Sequence, residues 1–129
     1  GIVFVGDTLF SLGCGRMFEG NPEQMWGSIQ KLLEFPDETI VYCAHEYTQA
    51  NAQFALSVEP QNQELVTRAA EIDKLRADNQ PTIPTTIGLE RRTNPFMRPN
   101  SPDLRETIGL TTASDVEVFA ETRQRKDNF

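Results

Sequence analysis

Histidine is the scarcest chemistry-bearing residue of this chain: it occurs once in 129 residues, as His45. A catalytic zinc takes about three protein ligands and a water, and a two-metal site takes more. A metal centre built from this chain alone is therefore excluded. Cysteine occurs twice, as Cys14 and Cys43, without CxxC spacing. That excludes a disulfide scaffold, fits a reducing compartment and predicts two buried free thiols. Apolar runs are a few residues long, far short of a membrane span. No charged segment, apolar core and cleavage site open the chain, so no secretory signal is visible and a cytoplasmic protein is expected. Lys and Arg number 12 against 19 acids, a net charge of −7, which argues against nucleic-acid binding through a general basic surface. The cations that exist are clustered, as Arg91, Arg92 and Arg98 and again as Arg123, Arg125 and Lys126, so local sites for a small anion are open to an acidic protein. There is no internal repeat and no low-complexity tract.

What remains, 24% charged and 38% hydrophobic residues, is a globular composition with room for one compact domain, or a small domain plus a piece of another. Ile2-Val3-Phe4-Val5, ended by Gly6-Asp7, predicts a strand buried on both faces. A lone strand cannot hide its ladder groups, so the chain is expected to begin inside a domain. Asn21-Pro22-Glu23 is a helix start, with Asn as cap, Pro at the first position and an acid in the first turn. Met25, Trp26, Ile29, Leu32 and Leu33 then recur at helical spacing, and Pro36 stops the helix. Thr39–Cys43 predicts a second strand, completing a βαβ-like unit. Residues 47–58 predict a helix with Phe54, Ala55 and Val58 inward. Residues 61–78 predict another, with Leu65, Ala69, Ile72 and Leu75 on one stripe. Residues 79–102 carry five prolines and predict an ordered extended loop. Ser114-Asp115-Val116-Glu117 predicts a last helix of the capping-box kind, with Val116, Phe119 and Ala120 buried. The expected architecture is α+β. Residues 1–46 are a piece of a layered sheet domain, and residues 47–129 are a mainly helical domain.

Two segments carry the chemistry. Gly6-Asp7-Thr8-Leu9-Phe10 and Cys43-Ala44-His45-Glu46-Tyr47 each follow a predicted strand, and each delivers one metal-capable side chain, Asp7 and His45, at the strand's carboxyl end. Sites collect at such ends in α/β sheets. A carboxylate can bridge two cations, which an imidazole cannot. Either residue also has an ordinary structural use, Asp7 as a turn acceptor and His45 as a satisfied core or surface histidine. Two ligands fall short of a site, so the others would lie outside this chain.

The order of further motifs adds to this. Gly6–Phe10, Gly13-Cys14-Gly15-Arg16-Met17-Phe18-Glu19-Gly20 and Cys43–Thr48 are followed by Val58-Glu59-Pro60, then Pro81–Thr86, Asn94-Pro95-Phe96-Met97-Arg98, and Arg123–Phe129. Together they resemble the C-terminal part of glyoxalase II, the hydroxyacylglutathione hydrolase family. The T-H-x-H-x-D-H motif of that family, which holds most of its metal ligands, is absent. The resemblance implies the second part of a metallo-β-lactamase-type αββα sandwich followed by a helical glutathione-binding domain. It implies two divalent metal ions, zinc or zinc mixed with iron or manganese, with Asp7 bridging both and His45 binding one. The reaction implied is hydrolysis of S-D-lactoylglutathione to glutathione and D-lactate, a step of methylglyoxal detoxification. Arg16, Phe18, Tyr47, Arg123 and Lys126 fall on positions that face glutathione, whose carboxylates suit Arg and Lys. Phe18 departs from the Tyr of many members and loses a hydroxyl contact. Arg125 and Arg98 are read as structural, Arg98 as a loop staple between helices.

This reading expects little or no activity from the isolated chain, and expects a partner in the missing N-terminal half or in another copy. The competing reading is a non-catalytic module from a truncated gene that binds glutathione or a protein. No nucleic acid and no membrane enter either reading.

Overall fold

The computed structural model describes residues 1–6, 8–15, 21–43 and 46–129. Of the expected site residues, Asp7, Arg16, Phe18 and His45 lie outside the described residues. Strand β1 (Ile2–Gly6) and strand β4 (Ile40–Cys43) pair in parallel, with Ile2 opposite Ile40 and Gly6 opposite Cys43. Between them run a two-stranded hairpin, β2 (Leu9–Phe10) and β3 (Gly13–Cys14), and helix α1 (Pro22–Leu33). The βαβ-like unit is thus present. Helix α1 starts as the sequence predicts, since the Asn21 side chain accepts from Gln24 N and Pro22 takes the first turn. Such a cap is worth about 1 kcal/mol. Trp26 and Ile29 are its buried residues.

Strand β1 is not buried on both faces. Its burial alternates, and Ile2 is 60% and Phe4 78% exposed. Phe4 stacks on Tyr42, its register partner, at 5.3 Å, and Tyr42 and Ile40 are exposed with it. Val3 and Val5 point the other way, into the core. A β-branched run fits either a doubly covered strand or one face of a two-residue period, and the composition alone does not separate them. One face of this sheet therefore presents a row of apolar side chains.

The stretch expected as an extended loop, residues 79–102, is instead largely regular. It holds β5 (Thr85–Thr86), which pairs antiparallel with β4, then helix α4 (Ile87–Thr93) and a 3-10 turn at Pro95–Met97. The prolines sit at element edges. Pro84 precedes β5, Pro95 opens the 3-10 turn and Pro102 opens helix α5 (Pro102–Ile108), positions where a missing N–H costs nothing. Residues 85–94 contain none, so a capped helix fits between them; Thr86 is its cap, accepting from Leu89 N.

Helix α2 (Thr48–Val58) buries Phe54, Ala55 and Val58 as expected. Helix α3 (Gln63–Ala77) buries Leu65, Ala69 and Ile72, while Leu75 is exposed. The final helix α6 (Asp115–Asp127) is capped by Ser114, which accepts from Glu117 N. Its buried face is Val118, Phe119, Thr122 and Arg123, so Phe119 is buried as expected while Ala120 is only half-buried. Val116 is half-buried at the edge of the core.

Ring centroids run Trp26 to Phe119 at 5.7 Å, Phe119 to Phe96 at 5.9 Å and Phe96 to Phe54 at 6.1 Å. This chain of rings joins α1, α6, the 3-10 turn and α2, and each fully buried Phe contributes about 1.5–3 kcal/mol. One cluster unites Leu9, Cys14 and Val41 with Phe54, Ile87 and Leu104, so residues on both sides of the expected boundary at 46 and 47 pack together. No helix among the described residues is long and apolar enough to cross a membrane.

Candidate active site

The carboxyl ends of β1 and β4 adjoin. Gly6 and Cys43 are Cα partners in the parallel ladder, and they are the residues directly before Asp7 and Ala44-His45. Gly6 has φ 54°, a left-handed conformation that glycine takes without penalty. On the other flank, Glu46 is tightly held. Its Oε1 accepts from Thr82 N at 2.5 Å, and its Oε2 accepts from Thr82 Oγ1 at 2.6 Å and Thr48 Oγ1 at 3.2 Å. The chain is thereby fixed on both sides of residues 44 and 45.

Next to these ends stands the β2–β3 hairpin. Its turn, Ser11-Leu12, places Leu12 at φ 62°, uncommon for a bulky residue. The turn is held by side chains from α2, from α4 and from the residue that follows α4. Leu12 N donates to Glu90 Oε1 at 2.7 Å, Asn94 Nδ2 donates to Gly13 O at 3.0 Å and Phe10 O at 3.3 Å, and Asn51 Nδ2 donates to Ser11 O at 3.2 Å. Glu90 is fully buried and pairs through Oε2 with Arg68, itself buried, at 2.6 Å. Arg68 donates onward to Thr93 Oγ1 and Ser11 Oγ, each at 2.6 Å, and to Thr85 Oγ1 at 3.2 Å. A Cβ on Gly13 would stand 2.6 Å from Asn51 Nδ2 and 2.8 Å from its Cγ, so the amide that holds Ser11 O, or the turn itself, would have to move. Sequence reasoning missed Arg68, Glu90 and Asn51. Glu90 was hidden because α4 was not foreseen; Arg68 and Asn51 lie on predicted helices, where a polar residue next to the apolar stripe was the one available signal.

Tyr47 follows the site as the residue that caps the start of α2. It is half exposed and sets its ring edge-on to Phe10 at 5.2 Å. Arg123 is buried. Its Nη1 donates to Cys14 O at 2.7 Å and Gly15 O at 3.4 Å, its Nη2 pairs with Asp127 at 2.8 Å, and its guanidinium lies 5.2 Å from the Phe96 ring centre. It thus grips the main chain immediately before Arg16. Lys126 is half-buried one turn on, with Nζ 5.9 Å from the centre of the Phe54 ring. The described members of the expected glutathione set therefore lie apart in role: Tyr47 at the surface beside the hairpin, Arg123 within the wall behind it. Arg125 is structural as expected, donating to Glu121 Oε1 and Ile108 O. Arg98 staples α2's end to the 3-10 turn through Glu59 Oε1 at 2.8 Å.

Both cysteines are buried thiols outside any disulfide. Burial pushes the Cys14 thiol up to about 12 despite the opposing charge of Arg123, and burial raises Cys43 as well. Neither is a nucleophile at neutral pH. Native protein at pH 8 is expected to leave both unlabelled by iodoacetamide, with both labelled in urea; rapid native labelling of Cys14 would contradict this packing. The linkage has a definite sign. Cys14 stays protonated in the fold, so its contribution is intact below the ordinary thiol value of 9.0 and is lost as pH rises from there toward about 12.

Among the described residues no group of three or more His, Cys, Asp or Glu side chains could hold a metal. The arrangement is that of a mixed α+β protein with its candidate site at the carboxyl ends of parallel strands. Residues 46–129 match the family model described as hydroxyacylglutathione hydrolase C-terminus, and the chain belongs to that family. It is similar to the hydroxyacylglutathione hydrolase of Maricaulis maris (strain MCS10), 57% identical over 129 residues, all of this chain and 50% of the relative. The hydroxyacylglutathione hydrolase of Chelativorans sp. (strain BNC1) is also 57% identical over 129 residues, covering 51% of the relative. That of Rhizobium meliloti (strain 1021) is 55% identical over 128 residues, 99% of this chain and 50% of the relative. The chain spans about half the length of the curated relatives it matches.

Proposed function

We propose that the full-length gene product is a metal-dependent thioester hydrolase that splits S-D-lactoylglutathione into glutathione and D-lactate, and that this chain supplies part of its metal site and most of its glutathione site. The observation that carries the proposal is the match of the whole chain to relatives named hydroxyacylglutathione hydrolase. The pairing of Gly6 with Cys43 supports it, since it brings together the two strand ends that lead into Asp7 and His45. The same match, running across both the sheet and the helical part, favours the hydrolase over a free-standing binding module.

The donor chemistry fits. Carboxylate and imidazole are oxygen and nitrogen donors suited to zinc, and Asp7 and His45 would hold the metals together with ligands from the part of the relatives that this chain does not span. When bound, such metals lower the pKa of water to about 7 and polarise a carbonyl. The rest falls to the chain's own side chains. Arg16 and Lys126 would bind the carboxylates of glutathione, and Tyr47 would offer its hydroxyl at the rim. Phe18 would contact the ligand through its ring alone, at a cost of about 1 kcal/mol for the missing hydrogen bond. Arg123 would serve the same ligand through Cys14 and Gly15, whose carbonyls it holds just before Arg16.

In this reading β1 and β4 belong to a metallo-β-lactamase-type sandwich, and residues 47–129, which include β5 on its edge, are the helical glutathione-binding domain. The exposed apolar row of Ile2, Phe4, Ile40 and Tyr42 supports it, because such a face calls for a cover. The test is elemental analysis and a thioester assay on the full-length gene product. About two metals per chain, with hydrolysis of S-D-lactoylglutathione that a chelator abolishes, is the expected result. The 129-residue chain alone is expected to show little or none. A folded, metal-loaded full-length protein that leaves the thioester intact would defeat the proposal.

A further inference from the structure

We infer that the buried pair Glu90–Arg68, with Asn94 and Asn51, is a positioning device for the reaction, acting through the Thr8–Gly15 segment on the two stretches that flank it. The inference rests on the hydrolase reading given above. Residues 8–15 are bounded by Asp7 on one side and Arg16 on the other. The two ends are tied to each other, since Gly15 N donates to Thr8 O at 3.3 Å. The turn between them is not held by its own ladder alone. The main-chain groups of Phe10, Ser11, Leu12 and Gly13 each meet a side chain from α2, α4 or the residue that follows α4. Fixing this segment fixes where the chain enters Asp7 and where it leaves for Arg16, one a proposed metal ligand and the other a proposed glutathione contact.

A hairpin of two-residue strands is marginal by itself and needs anchorage, but burying an ion pair is an expensive way to supply it. Here both members are sealed, with Glu90 0% and Arg68 6% exposed, and their partners are Ser11, Thr85, Thr93, Asn94 and the Leu12 amide. The carboxylate reads a backbone N–H on a residue at φ 62°, so it selects one conformation of the turn. The helical part is thereby coupled to both halves of the site without touching substrate. These residues are positioning residues, and a small displacement near a reacting centre is enough to cost roughly 100-fold in rate.

The test uses the full-length gene product loaded with zinc, assayed with S-D-lactoylglutathione. The variant E90Q/R68M removes both charges, keeps the volume and leaves a Gln oxygen for Leu12 N. A second variant, G13A, leaves the pair intact and displaces the turn against Asn51. Ile108→Val, in α5, is the control for lost stability. Both test variants are expected to lower kcat by roughly 10- to 100-fold at a temperature well below unfolding, with reduced zinc per chain, while Ile108→Val keeps both. If E90Q/R68M does not fold, G13A decides. Unchanged kcat, KM and zinc content in the folded variants would overturn the inference and leave the pair purely structural. An inactive wild type would overturn the hydrolase reading and this inference with it, an outcome distinct from active wild type with indifferent variants.

Discussion

Neutralising Asp7 as asparagine in the full-length gene product is expected to lower thioester hydrolysis by about 100-fold or more, the loss that follows removal of a group stabilising developing charge, and to reduce the bound metal. His45→Ala is expected to do the same. The reason lies in the ladder: Gly6 faces Cys43 in register, so the two proposed ligands follow neighbouring strand ends in sequence and would serve one centre. Residues that act as a unit are not additive. The double variant should therefore be scarcely worse than either single one. Metal content by elemental analysis and kcat/KM for S-D-lactoylglutathione are the measurements. Full metal and full activity in either variant would remove that residue from the site. Strict multiplication of the two losses would mean that Asp7 and His45 work independently.

Much of this arrangement was legible in the sequence, and the limits of legibility are physical. The βαβ-like unit could be read because its signals are local: a β-branched run, an Asn-Pro-Glu helix start and a proline stop. Inward residues of α1, α2 and α3 followed from helical spacing. The exposure of Phe4 and Tyr42 could not be read, because alternation shows only which residues share a face, not what covers it. Helix α4 was hidden by the prolines around it, whose role at element edges resembles that of a proline-rich loop until the pairing of β5 with β4 is known. The hairpin was hidden by its brevity, two residues per strand, and by a turn whose Leu12 carries none of the usual Gly or Asn signal. Its conformation is set by Glu90, 78 residues away, a separation no local pattern spans. Arg123 illustrates a different limit. Its motif indicates proximity to the ligand segment, yet only the fold shows that it meets Cys14 O and Gly15 O from behind.

The largest effect on stability is expected from Glu90→Ala. Removing one member of a buried ion pair costs about 3–5 kcal/mol, a large share of the roughly 5–15 kcal/mol that holds a domain together. The loss has three parts. Arg68, 6% exposed, keeps only hydroxyl partners for a charge that cannot be given up. Leu12 N and one donor of Asn94 lose their acceptor. The vacated volume adds a cavity, because Glu90 has no access to solvent. Glu90→Gln should cost less than Glu90→Ala, since its amide oxygen can still accept from Leu12 N. Arg68→Met on the Glu90→Gln background should recover part of that loss by removing the stranded charge, whereas Arg68→Met alone should destabilise by leaving the carboxylate unpaired. That reversal of sign is the signature of a coupled buried pair. Equilibrium urea unfolding of the four proteins in this cycle, with Glu90→Ala beside them, measures it. Additive losses, or a Glu90→Ala cost under about 1 kcal/mol, the ceiling typical of an exposed pair, would show that the cluster is hydrated and that the turn stands without it.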